Sequence, residues 1–160
     1  MANLDAALAL TVEKFSGITD KDGQPYILHC LRVMQGVQGE EAQMVALMHD
    51  LIEDTDVTLE DLKSLGFSPA VLKGLDLITH KAEASYADYI QCLEPNELAR
   101  AAKISDLEDN YSLHRVAFRP GFEYEDRRRI QRYILSHQFL TERIQADEYT
   151  QRIAEFEESI

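Results

Sequence analysis

Several polar side chains stand where the surrounding residues predict the interior of a helix. An ionised group buried without a partner costs several kcal/mol or becomes neutral. Polar groups at such positions therefore indicate either a bound cation or a catalytic role. The residues concerned are His29, the pair His49-Asp50, the pair Glu53-Asp54, and Asp106 with its neighbours Lys103 and Asn110.

Helical spacing relates these residues to one another. His49 and Glu53 are four positions apart, as are Asp50 and Asp54, so in a continuous helix each pair lies on one face. Two imidazoles, from His29 and His49, together with carboxylates and open coordination positions suit a first-row divalent ion such as Mn²⁺, Fe²⁺ or Zn²⁺. The spacing thus predicts a metal site.

Each group taken alone has an ordinary structural explanation. His29 fits a hydrogen-bonded core histidine, Glu53-Asp54 a solvated helix end, and Lys103 a surface lysine. His80, His114 and His137 have no motif partner, and we expect surface roles for them. Tyr86 and Tyr89 are as well explained by packing as by nucleotide binding. The cluster Arg127-Arg128-Arg129 with Arg132 is better explained by a solvated face paired with nearby acidic residues than by contact with phosphate. It is the occurrence of all four polar groups on helices that favours a site.

Composition narrows the class of protein and its partners. The chain has 160 residues, 45% of them apolar, and a formal net charge of -13, which fits a soluble domain that repels nucleic-acid polymers. Its first residues have no basic segment before an apolar run, and no run is long enough to span a membrane. Two cysteines, Cys30 and Cys92, suggest a reducing compartment. We therefore expect a cytoplasmic protein without nucleic-acid or membrane partners.

The apolar spacing is helical along almost the whole chain, and no alternating strand pattern of useful length occurs. We predict one all-α domain over residues 1–160, with its most buried helix from about Glu41 to Asp54. Thr58 to Asp61 resembles a capping box, and Gly66 is a natural stop. Further helix starts are predicted at Ser68-Pro69, Ser85 and Pro95. From Glu123 the pattern indicates one long helix, or two with a break near Asp147.

Three local stretches resemble the motifs of a known family. Residues 25–33, 47–55 and 103–110 are similar to the PYIxHPxxV, LHDxxEDT and KxxDxxxN stretches of HD-domain phosphohydrolases. The closest likeness is to the hydrolase domain of RelA/SpoT homologues and to the small stand-alone alarmone hydrolases. It extends from about Lys21 to Asn110, and less clearly beyond.

This resemblance implies a single HD-domain helical bundle with metal-dependent nucleotide phosphohydrolase activity. The implied reaction removes pyrophosphate from the 3′ position of guanosine tetra- or pentaphosphate, and the implied partner is a small-molecule nucleotide. Mn²⁺ is the expected ion, with Fe²⁺, Zn²⁺ and Mg²⁺ as alternatives. The resemblance assigns the metal to His29, His49, Asp50 and Asp106, the attacking water to Glu53 and Asp54, and the substrate to Lys21, Lys103 and Asn110.

The sequence departs from the family pattern in ways that leave alternatives open. Cys30 replaces the proline that usually follows the first histidine, and Asp20-Lys21 offers one basic residue where two are usual. With fewer basic residues to bind phosphate groups, the sequence also suits an HD-type phosphomonoesterase acting on nucleotides or NADPH. A non-catalytic nucleotide-binding protein of the same fold is a third interpretation, and a homo-oligomer is left open.

Overall fold

Helices provide the regular structure of residues 1–113 and 119–158, the parts of the chain that the computed structural model describes. Thr19 and Pro25 also form an isolated antiparallel bridge, which closes the polar loop between the first two helices. The helices are α1 (Leu4–Lys14), α2 (Ile27–Gln35), α3 (Glu40–Leu47), α4 (Leu51–Asp54), α5 (Leu59–Ser64), α6 (Pro69–Ile78), α7 (Tyr86–Leu93), α8 (Glu97–Tyr111), α9 (Glu123–Leu140) and α10 (Ala146–Glu158).

The helix α3 lies at the centre of the packing, in contact with α1, α2, α6 and α8. Val45, Ala46 and Leu47 are fully buried within it. Burying apolar area contributes roughly 25 cal/mol for each Å² removed from water, so a helix that is apolar on most sides is stable only inside the bundle. The prediction that this segment is the buried centre is confirmed.

The predicted continuity of that helix from Glu41 to Asp54 is wrong. α3 ends at Leu47, and α4 begins at Leu51. In a continuous helix the amide of Asp50 would bond to the carbonyl of Ala46, but the imidazole Nδ1 of His49 donates to that carbonyl at 2.8 Å. Asp50 takes φ -99° and ψ 0°, a sparsely populated backbone region that often holds active-site residues. The side chains of residues 49 and 50 therefore project from a bend between two helices. They do not lie on the faces of one continuous helix, as the spacing had implied.

Predicted helix starts agree closely with the structure. Thr58 forms the capping box with Asp61, and the side chains of Ser68 and Ser85 cap α6 and α7. The helix expected from Pro95 begins two residues later, because the Asn96 side chain supplies the cap. The long C-terminal segment is two helices, α9 and α10, and the break between them at residues 141–145 lies just before Asp147, near the predicted position.

A close approach between α2 and α8 sets the distance between the elements that carry His29 and Asp106. Ser105 on α8 is 5% exposed, and its hydroxyl donates to the carbonyl of Val33 at 2.8 Å. A Cβ added to Gly36 would collide with the Ser105 hydroxyl oxygen. The glycine therefore allows α8 to lie directly against the end of α2.

The described residues contain no helix both long enough and apolar enough to cross a membrane. Cys30 is buried, Cys92 is exposed, and both are free thiols. Cys30 is fully buried in the hydrophobic core, as expected for a cysteine that packs as a small apolar group.

Candidate metal centre

Four side chains from three segments converge between α2, the bend after α3, and α8. The Nε2 atoms of His29 and His49 are 3.2 Å apart. Asp50 Oδ2 lies 2.8 Å from His49 Nε2, and Asp106 Oδ1 lies 3.3 Å from His29 Nε2 and 3.5 Å from His49 Nε2. The atoms of His29, His49 and Asp50 that could coordinate a metal ion all lie within 4.8 Å of one another. The structure thus brings together the four residues predicted to bind metal.

The outer nitrogen of each imidazole has a partner that orients the ring. His49 Nδ1 donates to the Ala46 carbonyl at 2.8 Å, and His29 Nδ1 donates to Asp109 Oδ2 at 2.6 Å. A carbonyl can only accept, so Nδ1 of His49 carries a proton, and Nε2 is the nitrogen that faces the carboxylates of Asp50 and Asp106. This arrangement of an outward N–H and an inward Nε2 is the usual one for metal-binding histidines.

Electrostatics support a positive charge at this point. Burial alone would lower the pKa of His49, but the charges of Asp50 and Asp106 outweigh it and hold that pKa well above its ordinary value. Burial would raise the pKa of Asp106, but Lys103 and the histidines hold it well below its ordinary value. A site that favours protonated imidazole next to ionised carboxylates also favours a divalent cation, which satisfies the same lone pairs. The residues present therefore fit a metal ion with nitrogen and oxygen ligands.

Asp109 is a site residue that the sequence interpretation missed. Besides His29 Nδ1, it binds the guanidinium of Arg32 through two hydrogen bonds, of 2.6 and 3.2 Å. Its side chain is 9% exposed, and its carboxylate is held between the imidazole of His29 and the guanidinium of Arg32. Asp109 lies three positions after Asp106 on α8, and that spacing was the signal available in the sequence, since residues three apart share a helix face.

Asp50 and Asp106 are also held by neighbouring side chains. The hydroxyl of Tyr26 donates to Asp50 Oδ2, a contact that the sequence interpretation did not include. Lys103 Nζ lies 2.8 Å from Asp106 Oδ2, and Asn110 Nδ2 donates to Asp106 Oδ1 at 2.5 Å. Lys103 and Asn110, predicted to bind substrate, therefore also fix the orientation of a candidate ligand.

A cavity of about 280 Å³ opens beside these residues. On the side of the candidate ligands, its wall contains Tyr26, Asp50 and Asp106. The three residues predicted to meet the substrate all line it, namely Lys21, Lys103 and Asn110. The opposite wall comes from α9 and the turn before it, with Arg119, Asp126, Arg129, Ile130 and Tyr133.

Two basic residues of the far wall extend the set that was predicted to meet the substrate. Arg119 has no predicted role, and Arg129 belongs to the arginine cluster for which a solvated, ion-paired face was preferred over phosphate contact. Asp126 accepts hydrogen bonds from both guanidiniums, including one from Arg119 at 2.9 Å and one from Arg129 at 3.0 Å. The pairing of Arg129 with Asp126 agrees with the expectation of local ion pairs. Its position on the cavity wall depends on how α9 packs against α8.

Glu53 and Asp54 do not line this cavity. Both are exposed at the end of α4. Partial burial, together with the charge of Asp50, raises the pKa of each. Glu53 Oε1 accepts a hydrogen bond of 2.5 Å from the backbone N–H of His80, so His80 has a contact here that its surface position did not indicate. His114 lies outside the described residues.

Comparison with known proteins places these features in context. No protein-family model matches the sequence. The guanosine-3′,5′-bis(diphosphate) 3′-pyrophosphohydrolase of Aquifex aeolicus is 32% identical over 87 residues, which cover 52% of this chain and 12% of that protein. A protein of Synechocystis, described as a probable enzyme of the same kind, is 39% identical over 49 residues, or 28% of this chain and 6% of that protein. The aligned segments span only a small part of these relatives.

A solved structure agrees over much more of the chain. It is a metazoan ortholog of SpoT that hydrolyses ppGpp, and it superposes with a TM-score of 0.67 over 84% of this chain and 82% of that one, at 23% identity. The chain has the fold of this SpoT ortholog. The prediction of an all-α bundle of the HD type is confirmed, and so is the resemblance to SpoT-like hydrolases.

Proposed function

We propose that this chain is a metal-dependent nucleotide phosphohydrolase that removes pyrophosphate from the 3′ position of guanosine-3′,5′-bis(diphosphate), and that residues 1–160 form one HD-type domain. The observation that carries the proposal is the convergence of two imidazole Nε2 atoms and two carboxylates at the edge of a cavity lined by basic side chains. The names of the relatives and of the structural neighbour support this substrate class.

His29, His49, Asp50 and Asp106 are the residues that would hold the ion, and Mn²⁺ is the proposed one, with Fe²⁺, Zn²⁺ and Mg²⁺ as alternatives. When bound, such an ion lowers the pKa of a water and offsets charge on a phosphoryl oxygen. Other residues of the chain hold the side chains of these candidate ligands in fixed orientations. Ala46 and Asp109 fix the imidazole rings, while Tyr26 and Lys103 fix the carboxylates.

The cavity provides the positive charge that a nucleotide needs on this acidic protein. Lys21 and Lys103 reach the cavity from opposite ends of the motif region, and Asn110 adds an amide next to Asp106. These three residues bind phosphate oxygens and fix the nucleotide in our proposal. Arg119 and Arg129 line the opposite wall, where a guanidinium can bind a phosphate through two hydrogen bonds. A local basic surface offsets the repulsion from a net charge of -13.

Glu53 and Asp54 are proposed to handle the attacking water. A carboxylate with a raised pKa is a better proton acceptor near neutral pH than an ordinary one, and the pKa of each of these groups is raised. The hydrogen bond from His80 holds one oxygen of Glu53 and leaves the other available for a water. Asp54 lies next in the chain and adds a second negative charge that favours proton uptake.

A second candidate, a phosphomonoesterase acting on nucleotides or NADPH, is favoured by the acidic residues that lie beside the basic ones in the cavity wall. Both guanidiniums of the far wall are paired with Asp126, and Lys21 stands beside Asp20 and Asp22 in the cavity wall. This leaves less unpaired positive charge than a substrate with two diphosphate groups would use. The two free cysteines fit a reducing compartment, and we propose the cytoplasm as the location.

Product analysis separates these candidates. The purified protein is loaded with Mn²⁺, its metal content is measured, and it is incubated with guanosine tetraphosphate, nucleoside monophosphates and NADPH. We expect guanosine diphosphate and pyrophosphate in equal amounts from the first substrate. Orthophosphate as the only product, with turnover of another nucleotide, would move the assignment to the second candidate. Metal binding without turnover of any substrate would contradict both and indicate a non-catalytic binding protein.

A further inference from the structure

The carboxylate of Glu53 is held by a loop that lies outside the metal centre. Glu53 is on α4, which spans only four residues, so few neighbours on its own helix restrain the side chain. Its Oε1 accepts a hydrogen bond of 2.5 Å from the backbone N–H of His80, between α6 and α7. The direction of the carboxylate therefore depends on how this loop holds residue 80.

The imidazole of His80 closes the loop onto itself. Its Nε2 lies 3.0 Å from the carbonyl oxygen of Ala84, and because a carbonyl can only accept, Nε2 carries the proton. The ring also packs against Tyr89, with centroids 4.9 Å apart. Tyr89 is 6% exposed, and its hydroxyl donates to the Ile78 carbonyl at 2.5 Å. The imidazole is thus anchored at both sides of the turn whose N–H meets Glu53.

The same tyrosine connects the loop to the helix that carries a candidate ligand. Lys103 Nζ lies 5.5 Å from the centre of the Tyr89 ring and 2.8 Å from Asp106 Oδ2. A continuous series of contacts therefore runs from His80 through Tyr89 and Lys103 to Asp106. This series sets the loop, and the N–H that it presents to Glu53, relative to the metal centre.

We infer that His80 is a positioning residue for Glu53: its imidazole closes the turn from residue 80 to residue 84 and so directs its own backbone N–H at Glu53 Oε1. The inference rests on the proposed function, in which Glu53 accepts the proton of the attacking water. With Oε1 held, the remaining oxygen points in one direction, and a proton acceptor held in one orientation reacts faster than one that samples several.

A double-mutant cycle tests whether His80 acts through Glu53. The variants His80→Ala, Glu53→Gln and the double variant are loaded with Mn²⁺ and assayed with guanosine tetraphosphate. We expect His80→Ala to lower kcat about tenfold, with KM and Mn²⁺ content unchanged. In the Glu53→Gln background the same substitution should have no further effect, because coupled residues are not additive. His137→Ala is the matched control, since His137 pairs with Glu108 on another surface, and its kcat should equal that of the wild type.

Two further variants separate the parts of the imidazole. His80→Gln retains an N–H that can reach the Ala84 carbonyl, and we expect it to recover most of the lost kcat. His80→Phe retains a ring against Tyr89 but has no donor, and it should behave like His80→Ala. These variants also preserve the test if the alanine variant loses stability, which thermal unfolding would detect.

Amide hydrogen exchange gives a result that does not depend on activity. In the metal-free protein the amide of residue 80 should exchange slowly, and Glu53→Ala should accelerate it about tenfold or more, since the amide then loses its acceptor. Equal losses of kcat from His80→Ala in both backgrounds, full activity of His80→Ala, or unchanged exchange in Glu53→Ala would overturn the inference. A wild-type protein that turns over no nucleotide but shows the expected exchange result would overturn the proposed function, not the contact.

Discussion

The side chains of this site fall into two groups: candidate ligands, and residues that orient those ligands through hydrogen bonds. His29 and His49 turn one nitrogen toward the candidate metal centre, and the other nitrogen of each makes a hydrogen bond that holds the ring in place. Asp109 and Tyr26 lie one contact further out and orient the candidate ligands. Residues of this outer set do not need to touch an ion to change its affinity, because a ligand that can rotate loses part of its binding free energy as conformational entropy.

Asp109→Asn should weaken metal binding without abolishing it. Asparagine keeps the shape of the side chain but removes the negative charge that accepts from His29 Nδ1 and pairs with Arg32. We expect the Kd for Mn²⁺ to rise by about 10- to 100-fold, measured by calorimetric titration. Glu108→Gln, one residue earlier and paired with His137 instead, is the control. An unchanged Kd in Asp109→Asn would mean that Asp109 serves only the ion pair with Arg32.

Glu53→Gln should separate chemistry from metal binding. Glutamine keeps the size of the side chain and an oxygen that can accept from His80, but it cannot take a proton. We expect kcat to fall by about 10²- to 10⁴-fold, with KM little changed and metal content near that of the wild type. Asp106→Asn should instead lose metal first, and both effects can be measured by steady-state kinetics and metal analysis. Metal loss in Glu53→Gln would identify Glu53 as a ligand.

At the scale of elements, the site depends on two departures from regular helix geometry. The bend at residues 48–50 lets His49 and Asp50 leave α3 toward α2 and α8. The close approach at Gly36 lets α8 lie against α2, which brings Asp106 and Asp109 within reach of His29. In both features a side chain donates a hydrogen bond to a backbone carbonyl. His49 donates to the carbonyl of Ala46, and Ser105 donates to that of Val33.

Gly36→Ala should destabilise the protein although alanine favours helices. Its Cβ would collide with the Ser105 hydroxyl and lie 3.1 Å from Ser105 Cβ, so α2 and α8 must separate or Ser105 must give up its bond to Val33. We expect a loss of about 1–3 kcal/mol in the free energy of unfolding, measured by urea denaturation. Adding Ser105→Ala should restore part of it. Equal or greater stability in Gly36→Ala would show that the contact between these helices is not tight.

At the scale of the whole molecule, the charge around the cavity differs from the net charge of the protein. The protein carries a net charge of -13, yet Lys21, Lys103, Arg119 and Arg129 meet around one cavity. Two buried histidines and Asp106 lie beside it, each less than 6% exposed. A cation that binds these ligands in the folded state only would stabilise that state, so the stability of the whole domain should depend on the cation.

Stabilisation by Mn²⁺ should increase with pH. The raised pKa of His49 means that its charged form stabilises the metal-free protein below the ordinary value of 6.5, and that this contribution is lost as pH rises through the folded-state value. A metal ligand must be neutral, so bound Mn²⁺ replaces that proton and gains affinity as pH rises. We expect the difference in Tm between Mn²⁺-loaded and chelator-treated protein to grow from pH 6 to pH 8. Asp106→Asn is the control, and a constant difference in the wild type would contradict the expectation.

Much of the fold was predictable because its signals are local. Apolar residues at three- and four-residue spacing mark the helices, and Thr58, Ser68 and Ser85 mark three helix starts through bonds to residues three positions away. The candidate ligands could be named because His29, His49, Asp50 and Asp106 interrupt apolar stretches in an order typical of one family. Such patterns need no knowledge of which helices are neighbours.

Other features depend on distant residues and were decided only by packing. The bend after α3 arises because a side chain competes for a backbone carbonyl, which helical spacing does not report. The bond from His29 to Asp109 spans 80 residues, and the bond from His80 to Glu53 spans 27. Arg129 lines the cavity only because α9 packs against α8. The sequence by itself therefore determined an all-α chain and its candidate ligands, while the tertiary structure decided which groups orient them, because those contacts join segments that only folding brings together.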